Sequence, residues 1–202
     1  MRKLILFLLT IGMYYTAASQ LMAGASIGTF NIPGASKRFK GIGPTVKLEY
    51  LMSERTSAFL DASLYNKNED EGETTITDAD GAYIGEAATV AKHSIRHLQL
   101  GCKALFRRDF DEKGLGFFIG GGVAYSLVKT TYKYTLPGYD IPDGKYNNNQ
   151  FGFHFNAGAQ YNFARVIVEL KANFDLMIQP LVSASSYVIT GSRLGVLIPI
   201  TK

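Results

Sequence analysis

Residues 150–177 read QFGFHFNAGAQYNFARVIVELKANFDLM, and apolar and polar side chains alternate through this stretch in two series, 151–163 and 166–176. Successive side chains of a β-strand point to opposite faces of the sheet, so a period of two over this length indicates long strands. The two series therefore predict two antiparallel strands joined by a tight turn, each with one apolar face and one polar face. The polar positions include Glu169 and Asp175, so the fold depends on which face looks inward.

The same alternation recurs along the rest of the chain, with little sign of helix between the repeats. It predicts eight strands, at 22–30, 42–52, 57–66, 90–107, 115–134, 150–163, 166–177 and 186–200. About eight strands of this length suit a small closed barrel. The predicted fold class is therefore all-β, a closed antiparallel up-and-down barrel of about eight strands.

Long and short connections alternate between these strands. Long polar connections are predicted at 31–41, 67–89, 135–149 and 178–185, and short turns at 53–56, 108–114 and 162–165. One end of the barrel would then carry every long loop, and the other would carry the short turns and both termini. The acidic segment 68–73 lacks the fixed ligand spacing of a calcium loop, so we expect a solvated, mobile loop there rather than a cation site.

Residues 1–19 have the pattern of a secretory signal peptide. The basic pair Arg2-Lys3 precedes an apolar run that continues to Met13, and small residues follow it. This run is shorter than the ~20 apolar residues that a spanning helix needs. We therefore expect an exported protein whose residues 20–202 form one domain.

The composition excludes several classes of function. The net charge of +4 is mild and no run of Lys or Arg is present, so a nucleic-acid partner is not expected. Cys102 is alone, which rules out an intrachain disulfide. The run Gly120–Gly122 lies within a predicted strand with no helix after it, so it is not a phosphate cradle. No cofactor or metal is expected.

Two barrels fit the alternation. With the apolar faces inward, the chain would be a soluble, lipocalin-like barrel with a cavity for a small apolar ligand. With them outward, it would span a membrane. The fifth strand favours the second arrangement, because its other column, from Gly120 to Ser126, is nearly bare of charge and suits a crowded interior better than a wet surface.

Aromatic residues at the ends of the apolar columns also favour a membrane. They are Phe151, Phe153, Phe174 and Tyr132 toward the long loops, and Tyr50, Phe106, Phe117, Tyr161 and Phe163 toward the short turns. Aromatic rings concentrate at the two interfaces of a bilayer, so two such girdles around an apolar band are typical of a transmembrane barrel.

The polar columns would then fill the lumen with a nearly balanced set of charges. The predicted network comprises Lys47, Glu49, Asp61, His97, Gln99, Lys103, His154, Asn156, Gln160, Glu169, Lys171, Asp175 and Arg193. Buried charges must be paired or hydrogen-bonded, and an eight-stranded barrel is just wide enough for its side chains to fill it. We therefore expect a plugged interior rather than an open pore.

With these features the chain resembles the small outer-membrane β-barrel family, the OmpA-like and OmpX-like transmembrane barrels. The resemblance extends over nearly all of residues 20–202 and depends on pattern rather than on a sharp motif. It implies a monomer in the outer membrane of a Gram-negative bacterium, with outer-membrane lipid and the barrel-assembly machinery as partners and an unknown partner for the surface loops.

Barrels of this size include lipid-modifying enzymes, which makes the histidines candidates for catalysis. His93 and His97 lie four positions apart on one strand, about 13 Å at ~3.3 Å per residue, too far to share a metal ion. We expect His97 and His154 to hydrogen-bond neighbouring polar groups in the lumen. The sequence therefore predicts a non-enzymatic barrel, with a lipid-modifying enzyme as the alternative.

Overall fold

The computed structural model describes residues 20–32, 39–106, 112–163, 165–178 and 186–200. The predicted signal peptide and most of the predicted connection 178–185 lie outside the described residues. Among the described residues, no helix is long and apolar enough to cross a membrane.

Eight antiparallel strands form one closed barrel within the described part of the chain. They are β1 (Leu21–Ile32), β2 (Phe39–Leu51), β3 (Thr56–Thr77), β4 (Tyr83–Phe106), β5 (Gly114–Thr135), β6 (Gly144–Asn162), β7 (Ile167–Ile178) and β8 (Ser186–Pro199). Each strand pairs with its neighbours in sequence, and β8 closes the ring on β1, where Ala25 stands opposite both Val46 and Val196. The predicted fold class is confirmed.

The hairpin of β3 and β4 is much longer than predicted. Strand pairing continues through most of 67–89, and the segment 68–73 is part of β3, so the prediction of a solvated loop there is wrong. The actual turn is short: the Asp78 carboxylate accepts hydrogen bonds from the backbone of Asp80 and Ala82 at 3.0 and 2.8 Å. Most residues of 67–89 are polar or small, so the alternation of apolar and polar side chains is too weak there to predict strands.

The hairpin of β5 and β6 is also longer than predicted, because β6 begins at Gly144. Strands β3 to β6 therefore extend further than β1, β2, β7 and β8 on the side of the long connections. The pairing of β3 with β2 ends at the Thr45–Ser63 pair, and the pairing of β4 with β5 ends at the Ala88–Thr135 pair. The outermost part of the β3–β4 hairpin pairs only with itself.

The apolar columns face outward. Val46, Phe155 and Leu194 are 62%, 53% and 53% exposed, whereas the adjacent residues Lys47 and His154 are buried. A barrel with this outer surface is not the soluble, lipocalin-like alternative, because that fold keeps its apolar columns inside. Most of the predicted girdle residues are also exposed on the outer wall: Phe151, Phe153, Phe174, Phe106, Phe117, Tyr161 and Phe163.

Candidate functional site

The barrel interior collects the polar side chains that the sequence assigned to the inner columns. All thirteen residues of the predicted network lie inside the barrel, and none is more than 7% exposed. Alternation alone brings them there, because each is separated by an even number of positions from its inward neighbours on the same strand. Among the described residues, the buried carboxylates and the buried lysine and arginine side chains number four each: Glu49, Asp61, Glu169, Asp175, Lys47, Lys103, Lys171 and Arg193.

Four of these charges form a closed ring nearer the short turns. The Lys47 Nζ lies 2.7 Å from a carboxylate oxygen of Glu49 and 2.8 Å from one of Glu169. The Lys103 Nζ lies 2.7 Å from the other oxygen of Glu49 and 2.9 Å from the other oxygen of Glu169, which closes the ring. The signs alternate, so each charge has two neighbours of opposite sign. Ser57 donates a further hydrogen bond to Glu49 at 2.6 Å. The ring joins β2, β4 and β7 across the lumen.

A second group of charges is centred on Asp61, nearer the long connections. This carboxylate pairs with Lys171 and accepts a hydrogen bond from Arg193 Nη1 at 3.0 Å. The same Nη1 donates to Gln99 Oε1 at 2.8 Å, and Nη2 donates to Tyr65 at 3.2 Å. The Arg193 guanidinium on β8 therefore spans the lumen to β3 and β4.

Asp175 links this group to the two histidines. Its Oδ2 accepts a hydrogen bond from Gln99 Nε2 at 2.9 Å and lies 3.0 Å from His97 Nε2, while Oδ1 contacts His154 Nδ1. The other nitrogen of His154 accepts from the Asn156 amide at 2.8 Å. Both histidines therefore hydrogen-bond Asp175 and neighbouring polar side chains.

His97 also contacts Ser126, which completes a serine, histidine and aspartate series. His97 Nδ1 lies 2.6 Å from Ser126 Oγ, and its other nitrogen faces Asp175. A nucleophilic serine must meet its substrate, and Ser126 is 0% exposed. The series therefore lacks the access that catalysis requires, and its geometry suits a packed hydrogen-bond chain across the barrel.

Two apolar layers enclose the polar groups. The layer nearer the short turns consists of Met22, Leu51, Leu105, Phe118, Ile167 and Leu197. The layer nearer the long connections consists of Phe30, Tyr65, Ile95, Ala124, Met177 and Ile189. The interior therefore has a charged middle between two apolar ends.

Aromatic rings that the sequence did not single out support the charged middle. Lys103 Nζ lies 4.7 Å from the centre of the Phe118 ring, and Lys171 Nζ lies 5.4 Å from that of Phe59. A cation above an aromatic face is attracted by the ring quadrupole. The only sequence signal for these rings was that both phenylalanines fall on inward columns.

Glycines of β5 provide room for the network, as the sequence suggested for this column. A Cβ on Gly120 would lie 2.6 Å from Asn156 Oδ1, and one on Gly122 would lie 2.0 Å from the backbone oxygen of Leu100. A side chain at either position would displace the network or the neighbouring strand. These glycines therefore let β4, β5 and β6 approach one another closely.

No family model and no curated protein matches this sequence. Solved structures do match it. Ail, the attachment invasion locus protein of Yersinia pestis, solved with the heparin analogue sucrose octasulfate, is 7% identical, with a TM-score of 0.59 over 91% of this chain and 100% of that one. The outer membrane protein OprG of Pseudomonas aeruginosa is 11% identical, with a TM-score of 0.54 over 92% and 97%. The fold is that of the small eight-stranded outer-membrane barrels.

Proposed function

We propose that this protein is a non-enzymatic barrel of the Gram-negative outer membrane whose lumen is closed, and that it acts structurally or through its long hairpins. The observation that carries the proposal is the interior, where four carboxylates and four cations compensate one another between two apolar layers. Side chains that pair across the lumen occupy the path that ions would need.

The outer wall supports the membrane location. Large apolar residues such as Ile27, Ile119 and Leu170 are 60%, 54% and 56% exposed. Water would make such a wall strongly unfavourable, whereas a bilayer removes it from water. A closed ring of strands also satisfies its backbone hydrogen bonds internally, as hydrocarbon requires. Within the proposal the protein is a monomer, and the assembly machinery inserts it.

A conductance measurement tests whether the lumen is closed. The full chain is reconstituted into planar bilayers, and its insertion is verified by flotation of the same preparation with lipid vesicles. We expect no steady current steps, because the charged groups are paired and apolar layers cover them. Large, stable steps from protein that floats with lipid would contradict the closed lumen and leave the membrane location intact.

A shortened hairpin separates a structural role from a surface role. Replacing residues 73–88 by Asn-Gly would close β3 onto β4 near the Gly72–Thr89 pair, with a dipeptide that favours tight hairpin turns. If the protein acts through this hairpin, the shortened form should fold but fail to restore the wild-type phenotype when it is expressed in a deletion strain. Full restoration would favour a structural role in the membrane.

A further inference from the structure

A one-sided group of cations lies on the outer wall of β4, β5 and β6. This outer basic patch consists of Lys92, Arg96, Lys129, Lys133 and Lys145, all of them exposed. On each strand they lie on the same outward column as the apolar residues nearer the short turns, such as Leu98 on β4. The patch therefore faces the surroundings of the barrel and not its lumen.

The patch begins where the apolar band ends. Tyr125 stands opposite both Leu98 and Phe151, and these three exposed residues form the last apolar row across the three strands. Arg96 is the next outward residue on β4, and Lys129 is the second beyond Tyr125 on β5. Because aromatic rings mark the interface of a bilayer, this position corresponds to the headgroup level on the side of the long hairpins.

The part of the patch nearest the apolar band has no acidic neighbour on the adjacent strands. Arg96 stands between Leu64 and Leu127, and Lys129 between Ser94 and Asn147. Acidic residues accompany only the outer cations, since Asp70 on β3 stands opposite Val90, diagonal to Lys92. On the opposite wall, Lys40 is the one exposed cation described on β1, β2, β7 and β8. The positive charge is therefore concentrated on one side of the barrel.

A groove of about 420 Å³ opens within the patch. It is lined by Ser94, Arg96, Leu127, Lys129, Asn147 and Asn149. Ser94 stands opposite Lys129, and Arg96 is the next outward residue after Ser94 on the same strand. Arg96 and Lys129 are therefore diagonal neighbours, whose Cα atoms are usually about 7 Å apart. Two cations with amide and hydroxyl donors around them suit a phosphate, and Leu127 offers an apolar contact toward the membrane.

From this arrangement we infer that the outer basic patch binds the phosphate groups of the glycolipid in the outer leaflet. The inference depends on the proposed outer-membrane location, which puts the patch at the level of those groups. The guanidinium of Arg96 and the ammonium of Lys129 hold one phosphate between them, and Lys92, Lys133 and Lys145 add attraction from the hairpins. The bound glycolipid covers this side of the barrel.

The test measures lipid affinity by native mass spectrometry of the purified full chain. The probes are bisphosphorylated lipid A and the same lipid without its phosphates. We expect preference for the phosphorylated form, reduced at least about tenfold in the Arg96→Gln/Lys129→Gln variant, since both cations that attract the phosphate are removed. The matched control, Lys113→Gln/Arg165→Gln, removes one lysine and one arginine near the short turns and should leave the preference unchanged.

Three results would overturn the inference: equal affinity for the two lipids, equal losses in the two variants, or displacement of the lipid by a soluble sulfated polysaccharide at equal concentration. The last result would identify a soluble polyanion as the partner. Flotation with lipid vesicles is measured on the same samples. Failure to float contradicts the proposed membrane location, whereas floating protein without phosphate preference contradicts only the patch.

Discussion

Glu169 shows how single residues stabilise this interior. Its carboxylate accepts hydrogen bonds from Lys47 at 2.8 Å and from Lys103 at 2.9 Å. Removing a charge from water costs several kcal/mol, which a buried ion pair recovers only through good geometry and further hydrogen bonds. The alternating ring meets that condition, because every lysine contacts two carboxylates. Loss of one member therefore leaves a buried charge without full compensation.

The change Glu169→Gln should lower the free energy of unfolding by about 3–5 kcal/mol, the usual cost of breaking a buried pair from one side. The double change Lys47→Met/Glu169→Leu removes one charge of each sign and leaves the Lys103–Glu49 pair, so it should cost less than the single change. Urea unfolding in lipid vesicles measures both, with exposed Glu86→Gln as the control. A double variant less stable than the single one would show that the ring is not the stabilising unit.

At the scale of elements, β5 sets how closely its neighbours approach. The Cα partners of Gly122 are Gly101 on β4 and His154 on β6, so a row with two glycines crosses the wall beside the charged centre. Strand pairing brings backbones to a fixed spacing, and the small inward residues of β5 leave the inner volume to long side chains from other strands. β5 therefore contributes few packing contacts of its own to the interior.

The change Gly122→Ala should therefore destabilise the barrel by about 1–3 kcal/mol, the usual cost of overpacking. Its Cβ would meet backbone atoms of Leu100 and Gly101 at 2.0 and 2.5 Å, which cannot move without separating the strands. Gly121→Ala is the control, because its nearest contact is 3.2 Å and its side chain would face outward. Urea midpoints of the two variants compare them directly, and equal midpoints would contradict crowding at Gly122.

At the scale of the whole molecule, the barrel exposes its apolar surface and buries its charges, the reverse of a soluble protein. The reactivity of Cys102 can show whether the outer wall lies in lipid or in water. Cys102 is exposed and stands opposite Ala58 and Gly121 within the apolar band. Charged reagents do not enter hydrocarbon, so the bilayer should determine which reagents reach the thiol.

In lipid vesicles, Cys102 should react with a lipid-soluble maleimide and resist a charged, membrane-impermeant one. A Cys102→Ala/Glu54→Cys variant serves as the control, because Glu54 is exposed in the short turn between β2 and β3. Its thiol should react with the charged reagent. The extent of labelling by mass spectrometry measures both, and rapid reaction of Cys102 with the charged reagent would place this wall in water.

The sequence by itself determined the strands, their order and the two faces of each strand. A period of two is a local property, and eight such stretches with alternating connections leave few ways to close a sheet. The thirteen polar residues that it assigned to the lumen are all buried, since each lies on the polar column of its strand. It missed the outer parts of β3 and β4, because most residues there are polar or small and alternate too weakly between apolar and polar.

Only the tertiary structure decided which side chains meet. Glu169 on β7 could have paired with any cation in the lumen, and strand tilt and register select Lys47 and Lys103. The same register gathers five cations from three strands into one patch, although the sequence contains no basic run. The physical reason is that alternation fixes the side of the wall on which a residue lies, whereas contacts across the barrel depend on closure of the whole sheet.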